Sequence, residues 1–256
     1  MKIVSPDSYT VALMSGGESS RFREVQESQG VHKNSFSLPN DDTMIEMTIR
    51  MYRDSGFKNF IALVYHEAQT IIEVLGNGSK LGVSVKYSFD PTQLVGKGGA
   101  VRNALENGSI PQDKYLIVHN PDDLILDYPG NFPNYIVAKH AEGEIRGCIS
   151  TVVVVTETPY PYTGMKIEEG LVTEIEMYPP VKIPTHVGVT VFSPEIYPIF
   201  KQVFDLSQKT DFEKVLFPQL AKQKKLYSAP IPSNSWLAVN NLKAYNQLVH
   251  YLETKK

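Results

Sequence analysis

A short polar loop rich in glycine and serine follows the first apolar run of the chain. The loop reads Ser15-Gly16-Gly17-Glu18-Ser19-Ser20-Arg21. Paired glycines let a backbone turn tightly and approach a ligand closely, and successive N–H groups of such a turn form a concave anion site. Arg21 adds a guanidinium whose planar fork binds phosphate oxygens. The loop therefore predicts a phosphate-binding site, although an ordinary Gly-Ser turn has the same composition.

The loop differs from the two common phosphate-binding loops. The chain contains neither GxGxxG nor GxxxxGK[ST], and Gly76-Asn77-Gly78-Ser79-Lys80 lacks the required spacing. A Rossmann dehydrogenase and a P-loop NTPase are therefore disfavoured.

The elements that must position the loop alternate through the first half of the chain. Apolar, strand-like segments lie at 9–14, 60–65, 83–87 and 115–119, and helix-like segments lie between them at 43–55, 68–75 and 98–105. Strands separated by helices of this size indicate right-handed βαβ units and a parallel sheet. Ligands of such sheets bind beyond the carboxyl ends of the strands, which is where the loop lies.

The second half of the chain has a different pattern. Short strand-like segments lie at 147–155, 162–167, 171–176 and 187–192, a hairpin connection lies at 168–170, and helix-like segments lie at 211–221 and 242–252. This pattern predicts an antiparallel subregion next to the parallel strands. The expected fold class is α/β, a Rossmann-like three-layer fold with a mixed, mostly parallel sheet and a smaller antiparallel subregion.

Composition excludes several classes of protein. The 256 residues are 42% hydrophobic and 21% charged, with a net charge of −3, so the chain is globular and nucleic acid is not an expected partner. The N-terminal residues lack the apolar stretch of a signal peptide, and no apolar run approaches the ~20 residues of a membrane span. Cys148 is the one cysteine, so no internal disulfide is expected. We expect a soluble, cytoplasmic protein.

The polar loop, Lys33 and the pair Leu38-Pro39 together resemble the signature of the sugar-phosphate nucleotidyltransferases. That signature reads GGxGTRL or GGxGSRF, followed by a lysine before Leu-Pro. Further matches follow in the family's order: Thr43-Met44-Ile45-Glu46, Gly96-Lys97-Gly98-Gly99-Ala100, Asn120-Pro121-Asp122, Tyr162-Thr163-Gly164, Ile175-Glu176 and Val187-Gly188-Val189. The ordered series, more than any single match, identifies the chain as a member of this family.

The resemblance implies a fold and a reaction. The fold is the glycosyltransferase-A-like nucleotidyltransferase fold, as one domain over 1–256 with a nucleotide-binding half (about 1–125) and an acceptor-binding half (about 126–256). The reaction joins a sugar 1-phosphate to the α-phosphate of a nucleoside triphosphate and expels pyrophosphate. Arg21 and Lys33 are the implied catalytic residues. The implied nucleotide-binding residues are Ser15, Gly16, Gly17, Glu18, Ser19, Ser20, Gly96 and Asp122.

The resemblance also implies a Mg²⁺ cofactor. Asp122 matches the family's metal-binding aspartate, and Mg²⁺ prefers carboxylate oxygens, phosphates and water. Many members have a second metal-binding aspartate near the C-terminus, where this chain has Ala238. The segment Leu237-Ala238-Val239-Asn240-Asn241 instead resembles the G-V-N-N of N-acetylglucosamine-phosphate uridylyltransferases, which makes Asn240 the candidate for the second metal ligand, with Asn241 as the next choice. An Asn pair also caps a helix well, so Asn240 and Asn241 have that reading too.

The acceptor site departs further from the family pattern. The matched acceptor-binding positions are Gly164, Glu176 and His186. The family places a phosphate-binding lysine where this chain has Met177, which cannot bind a phosphate in that way. Lys182, a few residues on, is the candidate that replaces it.

Two alternatives remain open at this point. Met177 and Ala238 favour a non-catalytic relative that binds a nucleotide or a nucleotide-sugar and regulates a partner, whereas Arg21, Lys33 and Asp122 favour an enzyme. A cytidylyltransferase acting on a non-sugar phosphate such as phosphocholine is a second alternative. The expected partners are a nucleoside triphosphate and a sugar phosphate, without nucleic acid or membrane. The base, the acceptor and a homo-oligomeric state are left open.

Overall fold

The computed structural model describes residues 4–19, 22 and 31–255. The strands are β1 (Tyr9–Ser15), β2 (Asn59–Val64), β3 (Ser84–Phe89), β4 (Tyr115–His119), β5 (Asp123–Ile125), β6 (Ser150–Val155), β7 (Thr158–Pro159), β8 (Thr163–Glu168), β9 (Leu171–Met177), β10 (Pro180–Val181), β11 (Thr185–Phe192), β12 (Leu226–Ile231) and β13 (Trp236–Ala238). The helices are α1 (Met44–Arg53), α2 (Ala68–Leu75), α3 (Gly96–Glu106), α4 (Phe132–Ile145), α5 (Tyr197–Val203), α6 (Phe212–Lys222) and α7 (Leu242–Thr254). Among these helices, none combines the length and the apolar composition that crossing a membrane requires.

The central sheet has seven strands in the order β12-β6-β11-β4-β1-β2-β3. Strands β4, β1, β2 and β3 run parallel to one another, and β12 runs parallel to β6. Strand β11 is antiparallel to both of its neighbours, β4 and β6. The predicted mixed, mostly parallel sheet is therefore confirmed, and β11 is the strand that makes it mixed.

Helices cover both faces of this sheet, so the fold has three layers. Successive side chains of a strand point to opposite faces, and β1 shows the consequence: Val11 and Leu13 belong to one apolar core, whereas Ala12 belongs to the other. Helices α1, α2 and α4 close the first core, and α3, α5 and α6 close the second. The strand that leads into the polar loop is thus buried on both faces, which fixes where the loop begins.

Side chains at the helix starts explain several boundaries. Thr43 caps the start of α1: its hydroxyl accepts the backbone N–H of Glu46 and donates to the Glu46 carboxylate at 2.8 Å. Asn131 and Asn241 cap α4 and α7 in the same sense, each accepting a backbone N–H three residues on. Of the two asparagines at 240–241, Asn241 is therefore the cap.

Strands β8 and β9 form a two-stranded antiparallel hairpin apart from the central sheet. One face of the hairpin carries charged side chains, with Lys166 paired to Glu168 and Glu174. The other face is apolar, and its large side chains are all exposed to solvent: Met165, Ile167, Val172, Ile175 and Met177. The predicted antiparallel subregion is present in this hairpin and in the short ladders β7–β10 and β5–β13.

A buried polar network ties α4 to the sheet. His140 is 1% exposed, and its Nδ1 and Nε2 lie 2.9 Å from the hydroxyls of Thr151 and Ser193. Ser193 donates its hydroxyl proton to Glu144, so its oxygen accepts the Nε2–H of His140, and Nδ1 accepts the hydroxyl of Thr151. His140 is therefore neutral in the folded protein, and burial lowers its pKa to about 4.

We expect His140 to make the protein sensitive to acid. Its pKa is about 6.5 in the unfolded chain and about 4 in the folded one, so unfolding takes up a proton between these values. The stabilisation is complete above pH 6.5 and falls by about 3 kcal/mol as the pH drops to 4. Urea unfolding of the wild type and of His140→Gln at several pH values measures this. The gap between their free energies of unfolding should narrow from pH 7 to pH 4, and parallel curves would contradict the assignment.

Candidate active site

A cavity of about 350 Å³ opens beyond the carboxyl ends of β1, β3 and β4. Its wall combines the glycine-rich loop, the start of α3 and polar side chains from distant parts of the chain. The described residues that line it are Met14, Gly16, Gly17, Glu18, Ser19, Phe22, His32, Lys33, Leu63, Asp90, Leu94, Gly96, Lys97, Ala100, Asn120, Asp122, Lys209, Asp211 and Asn240. The topology predicted from the sequence places ligands at this edge of the sheet.

The glycine-rich loop is held by the short turn at 33–35. Asn34 donates its side-chain amide to the Met14 carbonyl and to the Ser15 hydroxyl, each at 3.2 Å. The backbone N–H of Lys33 donates to the Ser19 hydroxyl at 3.3 Å. A Cβ built on Gly17 would meet nothing within 4 Å, so the space above this glycine is open. The loop thus presents its backbone to the cavity from a fixed position.

The predicted loop residues differ in whether they line the cavity. Gly16, Gly17, Glu18 and Ser19 line the cavity, whereas Ser15 is fully buried beneath the loop. Ser20 and Arg21, the second of which is a predicted catalytic residue, lie outside the described residues.

Lys33, Asp122 and Asn240 meet at the centre of the cavity. The Lys33 ammonium forms an ion pair with Asp122 Oδ2 and donates to Asn240 Oδ1 at 3.2 Å. Both side chains of the ion pair are mostly buried, with 16% and 12% of their surface exposed. The structure therefore brings together three predicted residues that are far apart in the chain.

Local backbone structure explains how Asp122 and Asn240 come to lie side by side. Asp122 lies three residues after the end of β4, and Asn240 follows β13, which pairs with β5 through Ala238 and Asp123. The Val239 N–H donates to the Asp122 carbonyl at 2.8 Å. The β5–β13 ladder thus brings the C-terminal segment to the end of β4.

The two adjacent carboxylates at 122 and 123 have different surroundings. Asp123 turns away from the cavity and accepts hydrogen bonds from the Asn120 amide at 2.9 Å and the Trp236 indole at 3.0 Å. Burial, and then the charge of Asp122, raise the pKa of Asp123 to about 7. Asp122 is the carboxylate that faces the cavity, and Asp123 joins β5 to Trp236.

Gly188 had no predicted role, yet this glycine packs closely against the Asp123 carboxylate of this pair. Its φ is +72°, and a Cβ built there would overlap Asp123 Oδ2 and the Asn120 side chain. The sequence signal was the glycine inside an otherwise β-branched run, which often marks a close approach of another group.

We expect Gly188→Ala to destabilise the protein by about 3 kcal/mol or more, because it adds left-handed strain to a clash with Asp123. The matched control is Gly170→Ala in the β8–β9 turn. Gly170 has φ +83° and open space around its Cβ position, so only the strain of about 1–2 kcal/mol applies. Urea denaturation gives both values, and an equal cost at the two positions would show that the close fit at Gly188 contributes nothing.

His119 holds the end of β4 in place through hydrogen bonds at both of its ring nitrogens. Its Nε2 lies 2.9 Å from the Asp123 carbonyl and its Nδ1 lies 3.0 Å from the Tyr52 hydroxyl. A carbonyl only accepts, so Nε2 carries the proton and Nδ1 accepts from Tyr52. Burial lowers the pKa of His119 to about 4. This histidine is therefore a neutral support of the segment that presents Asp122.

The far wall of the cavity contains charged residues that had no predicted site role, although Gly96-Lys97-Gly98-Gly99-Ala100 and Asp211-Phe212-Glu213 both match segments of the family pattern. The Lys97 N–H donates to Asp211 at 2.8 Å, and the Lys97 ammonium pairs with Glu213. Lys209 lines the same wall without an ion pair to any described residue. These residues come from segments more than 100 positions apart, so no local pattern could bring them together.

Gly96 and Asp90 complete this wall. Gly96 has φ +76°, and a Cβ there would meet the Thr210 backbone at 2.7–2.8 Å, so the residue allows two backbones to pack closely. Asp90 is 7% exposed and accepts the Val95 N–H, and burial raises its pKa to about 6. Asp90 directly follows β3, and a carboxylate in that position was the signal in the sequence that could have selected it.

The predicted acceptor-binding residues do not line the cavity. Gly164 and Glu176 are cross-strand partners in the exposed hairpin, and Lys182 is exposed in the segment that precedes β11. His186 is largely buried against Phe217 and donates its Nε2–H to the Val189 carbonyl at 3.2 Å. Burial lowers the pKa of His186. The structure thus assembles the nucleotide side of the prediction and leaves the four acceptor residues outside the cavity wall.

Comparison with known proteins agrees with this architecture. Residues 11–255 match the nucleotidyl transferase family, and the chain therefore belongs to that family. The resemblance found in the sequence is confirmed. The fold matches a structure described as a putative glucose-1-phosphate thymidylyltransferase from Bacillus anthracis in complex with a sucrose, with a TM-score of 0.71 at 14% identity, covering 95% of this chain and 94% of the other.

Curated relatives are similar over most of this chain. The mannose-1-phosphate guanyltransferase of Yarrowia lipolytica is 26% identical over 207 residues, which are 79% of this chain and 53% of the relative. The UTP–glucose-1-phosphate uridylyltransferase of Synechocystis is 22% identical over 222 residues, which are 80% of this chain and 54% of the relative. The chain spans about half the length of the curated relatives it matches.

Proposed function

We propose that this protein is an enzyme that transfers a nucleoside monophosphate from a nucleoside triphosphate to a sugar 1-phosphate and releases pyrophosphate. The product is a nucleotide-sugar. The observation that carries the proposal is the meeting of Lys33, Asp122 and Asn240 in one cavity, opposite a glycine-rich loop. Membership of the nucleotidyl transferase family supports it.

The chemistry of this reaction suits the charges of the cavity. An oxygen of the acceptor phosphate attacks the α-phosphorus, and the bond from the α-phosphorus to the bridging oxygen of the β-phosphate breaks, so pyrophosphate leaves with the electron pair. Negative charge accumulates on all three partners, so fixed cations and N–H donors lower the barrier most. Lys33 would balance the charge near the α-phosphate, and Gly16 and Gly17 would donate backbone N–H groups. Arg21 is proposed for the outer phosphates.

Asp122 and Asn240 are the residues that would hold Mg²⁺. Their oxygens already converge on one cationic group, the Lys33 ammonium. Carboxylate and amide oxygens suit Mg²⁺, an ion that also keeps waters and substrate phosphates as ligands. When bound, the ion would neutralise phosphate charge.

The names of the relatives support a hexose 1-phosphate as the acceptor. Relatives named for mannose 1-phosphate and for glucose 1-phosphate are both similar to this chain. Gly164, Glu176, Lys182 and His186 stay proposed acceptor contacts on the strength of the family resemblance alone.

A substrate panel tests the proposal. The protein is incubated with Mg²⁺, each of the common nucleoside triphosphates and each of several hexose 1-phosphates, and pyrophosphate release is followed. We expect release with at least one pair and only when both substrates are present. Triphosphate binding without release in any pair would contradict the enzyme and favour a regulatory relative.

A further inference from the structure

The Lys33 ammonium uses the same two oxygens that are proposed for the metal ion. It contacts Asp122 Oδ2 and Asn240 Oδ1 in a part of the cavity where little solvent reaches. An ammonium group and a divalent cation repel each other and draw on the same lone pairs, so they cannot both hold this position. The Lys33 ammonium and a divalent cation therefore exclude each other at these two oxygens.

We propose that Lys33 competes with the divalent cation for Asp122 and Asn240, so that cation binding moves the Lys33 ammonium off these oxygens and towards the substrate phosphates. The inference rests on the proposed function for the metal site and for the phosphates. Lys33 then has two roles: it holds the two ligands together, and it becomes available to substrate only when the cation takes them.

The backbone around Lys33 favours a movement of the side chain alone. The Lys33 N–H is bound to Ser19, and Asn34 anchors the turn to Met14 and Ser15. A lysine side chain has a flexible four-carbon stem and a compact charge, so its ammonium can shift by bond rotation while the turn stays in place. The same anchoring keeps the shifted ammonium next to the glycine-rich loop.

The other lysines of the cavity provide a control. Lys97 is paired with Glu213, and its removal would free a carboxylate near the site. Lys209 lines the cavity without an ion pair to any described residue and has no contact with Asp122 or Asn240. Lys209→Met therefore removes the same charge from the same cavity without removing the competition.

The test is the affinity for Mn²⁺ in the absence of nucleotide, measured by electron paramagnetic resonance of the free ion. Lys33→Met should bind Mn²⁺ at least about tenfold more tightly than the wild type, which is about 1.4 kcal/mol. Lys209→Met should change the affinity by less than about twofold. Lys33→Arg keeps the positive charge and should not tighten Mn²⁺ binding. Asp122→Asn removes a proposed ligand and should abolish Mn²⁺ binding.

The outcomes separate the inference from the proposed function. Equal Mn²⁺ affinity in Lys33→Met and wild type, or an equal gain in Lys209→Met, would overturn the competition, even when the wild type releases pyrophosphate in the substrate panel. Absence of Mn²⁺ binding in Lys33→Met, with an unchanged thermal midpoint, would overturn the assignment of Asp122 and Asn240 as ligands. Tighter binding in Lys33→Met alone supports the inference whichever substrate pair proves active.

Discussion

Lys33→Met should lower the rate of nucleotidyl transfer by roughly 10²–10³-fold, the usual loss when one fixed group that stabilises transition-state charge is removed. Among the lysines that line the cavity, Lys33 is the one bound to Asp122 and Asn240, and methionine keeps the length of the side chain without its charge. Because the charge develops mainly in the transition state, we expect the loss in kcat rather than in the KM for the triphosphate. Steady-state kinetics with the active substrate pair measures both constants.

The control for this variant is Lys80→Met. Lys80 is an exposed lysine in the turn Ser79–Leu81, away from the cavity, so its replacement should leave both constants unchanged. Circular dichroism should show the same fold in the two variants. A Lys33→Met enzyme with wild-type kcat would exclude Lys33 from the chemistry.

Asp122→Asn should also lower the rate by roughly 10²–10³-fold, for a different reason. It removes the carboxylate charge that would hold the metal ion but keeps the size of the side chain. We expect a raised requirement for Mg²⁺ and no large loss of stability, because the Asp122 side chain is bound to Lys33 and not to the core. Titration of the rate with Mg²⁺, together with urea denaturation, measures the two effects.

The neighbouring substitution Asp123→Asn should lower stability and leave the Mg²⁺ requirement of the rate nearly unchanged. Asp123 accepts from two donors, Asn120 and Trp236, and an amide in its place would set a donor against one of them, at a cost of about 1–3 kcal/mol in stability. Its Mg²⁺ requirement should stay near that of the wild type. If Asp123→Asn, rather than Asp122→Asn, raised the Mg²⁺ requirement, the roles of the two carboxylates would be reversed.

The sequence was sufficient for the parallel strands and for the centre of the site. Buried strands that alternate with helices indicated that β1 to β4 run parallel, and the carboxyl ends of such strands lie at one edge of the sheet. Lys33, Asp122 and Asn240 could be chosen because each lies in a recognisable segment, and the structure brings the three together.

The far wall of the cavity, the place of β11 in the sheet and the role of Gly188 could not be predicted, because they depend on contacts between distant segments. The sequence around Asp211 does not indicate that Asp211 binds the Lys97 N–H, since the 210–211 segment meets the start of α3 only in the folded chain. The insertion of β11 between β4 and β6 likewise follows from pairing between residues at least 30 positions apart. Gly188 has its role only because that insertion brings it against Asp123.

The predicted acceptor residues show that a sequence match does not locate an element relative to the site. Gly164 and Glu176 match family segments, but the hairpin that carries them is exposed and does not line the cavity. A match of residue types in sequence order predicts an element well, and it does not fix where that element lies relative to the site. The acceptor contacts therefore stay predictions.

The most direct test of the central claim is a ³¹P NMR spectrum of the protein mixed with Mg²⁺, the active nucleoside triphosphate and its hexose 1-phosphate. We expect the signals of both substrates to decrease together while two coupled resonances of a diphosphate diester and one resonance of pyrophosphate grow at equal rates. Loss of the triphosphate to a nucleoside monophosphate or diphosphate, with the hexose 1-phosphate signal unchanged, would contradict transfer and show that the cavity does not join the two substrates.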